Sequence, residues 1–372
     1  MTAPLLDIEN LHVTFPVEDG PDVPAVAGVD LQVDSGEIHG LVGESGSGKS
    51  VTARSIMRLL DGARVEADRF DYRGTDLYDR SEAEMRAIRG DDIGMVFQDS
   101  LSALNPVMTV GEQIAEVVRH HGDVDESTGL LSELRRKYIT GTSRDAPSWR
   151  RAVDLLETVG VADPEQVATT YPHQLSGGQR QRVMIAQALG GDPSLIVADE
   201  PTTALDVTVE AGILDELRRL CDDFGVAILL ITHDLGVVAE TCDSVTVMYS
   251  GSVMERGDTD QLFERPAHPY TRGLLRSIPE RTPTDGELPT IPGSAPDPTD
   301  RPDGCPFRDR CPAAFDACSA PLPEHVVEGG HVARCHLYTE GDGPGDVAWD
   351  VPEGAVEATD PTATSPTEVT DR

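Results

Sequence analysis

The 372-residue chain reads as an α/β protein built on a parallel sheet covered by helices on both faces. Three observations predict this. From residue 178 onward the order is helix, SLIVAD, the helix VTVEAGILDELRRLC, VAILLIT, a helix, SVTVMYS and a further strand. The strand runs are apolar nearly throughout, as buried parallel strands are, whereas half-exposed strands alternate apolar with polar. Upstream, EIHGLV feeds directly into a glycine-rich loop and the helical pattern KSVTARSIMRLL, a strand, loop, helix unit. The third observation is length: 372 residues with 38% hydrophobic content suffice for a sizeable core, while 27 Pro and 35 Gly mark irregular stretches.

Taken in order, residues 5–42 hold three β-type runs, LLDIENLHVTF, AVAGVDLQV and EIHGLV, separated by turn residues. Helices are expected over 109–121, 130–138 and 148–160, the last opening at Ser148 and closing at Gly160. The polar stretches GDVDESTG and TGTSRDAP between them are loops. After residue 278 a connector, 279–303, carries seven prolines in 25 residues and is expected to be an extended linker. A cysteine-bearing segment follows over 304–340. Residues 341–372 are Gly, Pro, Asp, Glu, Thr and Ser with few apolar side chains, so this acidic tail is expected to be disordered.

Thirty Lys and Arg face 66 Asp and Glu, a net charge of −36, and such a surface repels nucleic acid over most of its area. No nucleic-acid partner is therefore expected. Only two of the basic residues, Lys49 and Lys137, are lysines. Carboxylate excess with lysine nearly absent, spread along the whole chain, points to a halophile protein working in concentrated salt, where short screening lengths remove self-repulsion, the alternative being an acidic mesophilic protein with GC-rich codons. No run approaches 18 consecutive apolar residues, and the start MTAPLLDIEN lacks the basic and apolar regions of a secretory signal. A cytosolic location is expected.

Gly43, Glu44, Ser45, Gly46, Ser47, Gly48, Lys49 and Ser50 match the phosphate-loop pattern in its proper context, after a strand and opening a helix. Glycines let backbone N–H groups converge on phosphate oxygens, Lys49 neutralises the β and γ phosphates, and the Ser50 hydroxyl ligates Mg²⁺. Leu195 to Glu200 form an apolar strand ending in two carboxylates, which at the C-terminal edge of a parallel sheet face the ligand crevice. Asp199 suits the Mg²⁺ shell and Glu200 a general base for the attacking water. LSGGQ at 175–179 is a second glycine loop opening a helix, hence another anion site. Taken singly, Gln98 in IGMVFQDS, Asp206 in ALD and His233 in ITHD would be ordinary polar groups at element ends.

Together and in this order, these residues resemble the ATP-binding cassette (ABC) family across about residues 5–278. The resemblance implies a P-loop NTPase (RecA-like) core with an antiparallel β subdomain and a helical signature subdomain at about 99–190, plus the small C-terminal extension. It implies two cassettes closing head to tail on ATP. Phe15 would stack on adenine, and Ser176, Gly177, Gly178, Gln179 and Asp206 would act on the partner's ATP. Gln98 would join Ser50 and Asp199 around Mg²⁺, and His233 would hold the γ-phosphate and water. Past the cassette, RPAHPYTRGLL at 265–275 and GCPFRDRC at 304–311 resemble the ATP-binding subunits of oligopeptide and dipeptide importers, with details such as YPHQLSGG closest to their D-type subunit. Residues of about 122–147 look inserted. This family implies two membrane permeases, a second ABC ATPase subunit, an extracytoplasmic substrate-binding protein acting indirectly, and a peripheral place on the cytoplasmic face of the cell membrane.

Cys305, Cys311, Cys318 and Cys335 are separated by five, six and sixteen residues. Four thiolates suit zinc, though the paired C-x₂-C spacing is missing, and a reducing cytosol argues against disulfides. The family resemblance implies a [4Fe–4S] cluster, which also takes four Cys ligands. Zn²⁺ and unligated thiols stay open. A soluble ABC ATPase of iron–sulfur assembly is the rival function, since it too is a single cassette. The charge reading has its own test: the melting temperature should rise steeply with KCl as the Debye length falls from about 10 Å at 0.1 M to about 3 Å at 1 M. A melting temperature equal in low and molar KCl contradicts it.

Overall fold

The computed structural model describes residues 3–18, 20–126, 142–203, 205–278 and 290–339. The helix expected over 130–138, most of the 122–147 insertion, the first half of the 279–303 linker and the 341–372 tail lie outside the described residues.

Two sheets organise the described residues. In chain order the strands of the first are β1 (Leu6–Phe15), β2 (Val23–Val33), β4 (Arg64–Glu66), β5 (Arg69–Tyr72) and β6 (Thr75–Asp76). They pair antiparallel in the order β2-β1-β5-β6, with β4 also against β1. The second sheet holds β3 (Ile38–Val42), β7 (Ile93–Val96), β8 (Leu195–Asp199), β9 (Ala227–Thr232), β10 (Ser244–Tyr249), β11 (Ser252–Asp258), β12 (His325–Glu328) and β13 (His331–Ala333). Its order is β12-β13-β11-β10-β3-β9-β8-β7, parallel from β10 to β7 and antiparallel at the other end.

The period of two in the parallel strands separates two cores. Leu41, Leu195, Val197, Leu229 and Ile231 pack with Leu6, Ile8 and Leu31 of the antiparallel sheet and with Ile56. Their sequence neighbours Val42, Ile196, Ala198, Ile228 and Leu230 face the opposite way, into a core shared with the helices. Because both sides of β3, β8 and β9 are buried, these strands carry no polar face.

The helices that place functional loops are α1 (Lys49–Ile56), α2 (Val110–His121), α3 (Pro147–Thr158), α4 (Gly177–Ala188) and α5 (Val207–Phe224). Their starts follow from capping: Thr109 with Glu112 and Ser176 with Gln179 form reciprocal capping boxes, and Asp206 caps α5. The helix expected to open at Ser148 starts one residue earlier. Pro147 suits the first helical position, and the Glu126 carboxylate takes the Ser148 N–H at 2.7 Å.

The cysteine segment, expected as a small C-terminal extension, is joined to the cassette by strand pairing. Strand β13 pairs with β11 and β12 with β13, so the segment extends the cassette's own sheet. Cys305, Phe307 and Cys318 join the main core. Glu255 on β11 is fully buried and accepts from the backbone N–H groups of Ala267 (2.6 Å) and His268 (2.8 Å), and it pairs with His331 Nε2 at 2.7 Å. One buried carboxylate thus ties β11, the start of the Pro269–Arg276 helix and β13 together. Losing it would leave three polar groups buried without a partner, at a cost of about 3 kcal/mol or more.

Candidate functional site

Strands β3, β8 and β9 end side by side, with Val42 opposite Thr232 and Asp199 opposite Ile231. This register sets the phosphate loop, the Asp199–Glu200 pair and His233 along one edge of the sheet. Gly43 is required where the chain leaves β3: a Cβ there would lie 2.1 Å from the Met248 carbonyl oxygen. The loop then turns into α1.

Lys49 is buried, and its Nζ donates to the carbonyl oxygens of Gly43 (2.7 Å) and Glu44 (2.9 Å). Burial lowers its pKa, while the negative charges of Glu200, Asp199 and Glu44 oppose that shift. The Ser50 hydroxyl donates to Asp199 Oδ1 at 2.8 Å. Asp199 is almost fully buried, its Oδ2 has no hydrogen-bond partner, and burial raises its pKa against the Ser50 hydrogen bond. An orphaned carboxylate oxygen beside a serine hydroxyl is an oxygen donor set for a small hard cation, so these residues fit Mg²⁺.

Glu200 takes a left-handed backbone conformation, φ 48°, which costs a residue with a Cβ about 1 kcal/mol or more. Its N–H donates to the Ile231 carbonyl at 2.9 Å, which holds the turn against the neighbouring strand. Three side chains converge on its carboxylate: Gln98 Nε2 at 2.8 Å, Thr203 Oγ1 at 2.8 Å and His233 Nδ1 at 3.4 Å. The sequence-predicted Gln98, Glu200 and His233 are therefore brought together. Of the three groups assigned to Mg²⁺, Ser50 and Asp199 touch and Gln98 is turned to Glu200. Thr203 was not singled out in the sequence. Its position in DEPTT, three residues past Glu200, was the available signal.

Phe15 closes β1, opposite Val23. Ser176 Oγ accepts from the Gln179 N–H (3.2 Å) and Gln179 Oε1 from the Ser176 N–H (2.9 Å), while Asp206 accepts from the Val209 N–H at 3.0 Å. Gly178 has no room for a side chain, since a Cβ would lie 2.4 Å from Val209 Cγ1. Among the described residues, the side-chain hydrogen bonds of Ser176, Gln179 and Asp206 stay within their own helix starts, and none reaches the phosphate loop.

The four cysteines gather in the extension. Cys305, Cys318 and Cys335 are buried and Cys311 half-buried, and the Cys305 N–H donates to the Cys318 carbonyl at 2.9 Å. Burial pushes the Cys305 thiol up to about 11 and Cys335 to about 12, and Cys335 feels the charge of the other three. The Arg308 N–H donates to the Cys305 carbonyl at 3.1 Å, and backbone hydrogen bonding from Phe307, Ala313 and Leu337 works against the rise at Cys305, Cys311 and Cys335. Such donors favour thiolate over thiol. Among the described residues no three His, Cys, Asp or Glu side chains close around a single ion. Cys221 and Cys242 lie buried elsewhere as ordinary core residues.

Comparison with known proteins agrees with this geometry. The ABC transporter family profile matches residues 26–203, and the profile for the oligopeptide/dipeptide transporter C-terminal region matches residues 254–318. The oligopeptide transport ATP-binding protein AppD of Bacillus subtilis (strain 168) is 46% identical over 342 residues, 90% of this chain and 97% of the relative. The chain belongs to the ABC ATP-binding subunits of the oligopeptide/dipeptide importer family. The dipeptide transport ATP-binding protein DppD of Escherichia coli (strain K12) is 44% identical over 334 residues, 89% of this chain and 96% of the relative. Among solved structures, a dimeric ATP-binding cassette in a post-hydrolysis state bound to ADP and Pi aligns with a TM-score of 0.56 at 26% identity, over 68% of this chain and 98% of that one. Membership in the importer family removes the rival reading as an iron–sulfur assembly ATPase, which requires no His-Pro-Tyr segment.

Proposed function

We propose that this chain is the ATP-hydrolysing subunit of a peptide-class ABC importer, coupling ATP binding and hydrolysis to uptake through partner permeases. The observation that carries the reading is the joint one: Gln98, Thr203 and His233 converge on Glu200 beside the Ser50–Asp199 pair, on a chain whose residues 254–318 match the oligopeptide/dipeptide transporter region.

In this mechanism the triphosphate enters the phosphate loop, and Lys49 exchanges the Gly43 and Glu44 carbonyls for phosphate oxygens. Ser50 and Asp199, joined by the amide oxygen of Gln98, would hold Mg²⁺, which would supply neutralisation of phosphate charge. Glu200 accepts the proton of the attacking water, with Gln98 and Thr203 fixing the carboxylate and His233 placed to hold the γ-phosphate side. Ser176, Gly177, Gly178, Gln179 and Asp206 of a second cassette complete the site from the other side, and Phe15 carries the adenine. Closure is passed through the helical region to two membrane permeases, on the cytoplasmic face of the membrane, which take substrate from an extracytoplasmic binding protein. Among the described residues no helix is long and apolar enough to cross a membrane.

Cys305, Cys311, Cys318 and Cys335 would hold a [4Fe–4S] cluster. The support is the set of four thiol donors and their burial. Bound there, the cluster would cross-link a segment too poor in large apolar residues to fold alone.

Glu200→Gln should lower ATP turnover about 10²–10⁴-fold while ATP binding persists and traps associated cassettes, detected by light scattering. Lys49→Ala should lose ATP binding in the same assay. Near-normal turnover in Glu200→Gln refutes the base. For the cysteines, anaerobically purified protein should contain about four irons per chain and lose them on Cys311→Ser. Stoichiometric zinc without iron overturns the cluster.

A further inference from the structure

The extension also reaches into the phosphate loop. Arg310, within GCPFRDRC, is nearly buried, with a side chain 8% exposed, and its Nη1 donates to both Glu44 oxygens, at 3.1 and 2.8 Å. The same Nη1 also donates to the Tyr249 hydroxyl (3.1 Å), while Nε donates to the Pro292 carbonyl (2.9 Å) and Nη2 to the Ile291 carbonyl (3.2 Å). The guanidinium lies 5.6 Å from the centre of the Tyr249 ring and 5.9 Å from that of Phe307. Those two rings and Tyr270 form a buried three-ring cluster, with centroids 4.7 to 5.3 Å apart. Tyr270 in turn accepts the Glu44 N–H at 3.0 Å.

Glu44 is thus gripped at three points: its carbonyl by Lys49, its N–H by Tyr270 and its carboxylate by Arg310. When a nucleotide arrives, Lys49 has to leave the Glu44 carbonyl for the phosphates. Tyr270 and Arg310 are then the anchors that keep this part of the loop in its binding shape. Charge matters as well. The Glu44 carboxylate sits in a loop that must accept a polyanion, and in this half-buried setting an unpaired carboxylate repels phosphate far more than it would in water. Arg310 cancels it. The connector adds a wall, since a cavity of about 270 Å³ is lined on one side by Glu44 to Ser47 and on the other by Ala295 to Pro298.

We infer that Arg310 is a positioning residue for the phosphate loop, and that the cysteine-bearing extension thereby sets this chain's affinity for ATP. Linkage makes the coupling reciprocal, so nucleotide in the loop must also steady the extension.

The test uses the full chain with ATP and ADP. Arg310→Ala should weaken ATP binding about tenfold, with kcat at saturating ATP within about twofold of the parent. The double variant Arg310→Ala/Glu44→Gln should recover most of the affinity, because the uncompensated carboxylate is gone. In the parent chain ADP should slow amide exchange over residues 305–319, and Glu44→Gln should abolish that slowing. ADP lacks the γ-phosphate, which separates this effect from cassette closure. The parent-chain measurement also holds if Arg310→Ala fails to fold. Unchanged ATP affinity in a folded Arg310→Ala overturns the inference, as does additivity of the two substitutions or exchange over 305–319 that ignores ADP.

Discussion

The register among β3, β9 and β8 is the constraint on which the rest of the structure depends. With Val42 opposite Thr232 and Asp199 opposite Ile231, the phosphate loop and the two carboxylates leave the sheet at one level. Ser50 can then reach Asp199 across α1. A slip of one residue in β8 would turn Ile196 and Ala198 from the helical core to the other face and swing Asp199 away from the loop. The apolar packing on both faces therefore fixes the site geometry: the same side chains that exclude the slipped register hold the Asp199 and Glu200 carboxylates in place. The strained backbone at Glu200 is maintained by this frame, through the Ile231 carbonyl.

The second dependence runs from the far end of the chain. Glu255, buried at the β11 edge, binds the turn before Tyr270 and the strand bearing His331 in one network. Tyr270 is held on one side by that network and touches Glu44 on the other, so the C-terminal residues are continuous with the nucleotide loop. Arg301 on Ser252 Oγ and Arg334 on the Gly28 carbonyl fasten the same segment to both sheets. An extension attached in this way is part of the cassette.

The phosphate loop, the Asp199–Glu200 strand end and LSGGQ were legible in the sequence because each is contiguous and its residue types are dictated by local chemistry. Gly43 illustrates this: only glycine tolerates the approach to Met248, so the position reads the same in isolation as in the fold. The strands were legible because burial on both faces makes them uniformly apolar. Arg310, Glu255 and His331 were not. Their partners lie 266, 12 and 76 residues away, and nothing in GCPFRDRC marks which arginine meets a carboxylate in the nucleotide loop. In sequence the four cysteines lie more than 100 residues from Lys49 and Glu200, and nothing local shows that the segment carrying them packs onto the cassette. Sheet extension through β13 closes that gap.

The central claim, that strand register builds one Mg·ATP site from Ser50 and Asp199, is tested most directly by electron paramagnetic resonance with Mn²⁺ in place of Mg²⁺. One Mn²⁺ per chain should bind with ATP in the parent protein. In Asp199→Asn the bound Mn²⁺ signal should vanish while metal-free ATP binding through Lys49 persists. Undiminished Mn²⁺ binding with ATP in Asp199→Asn contradicts the claim.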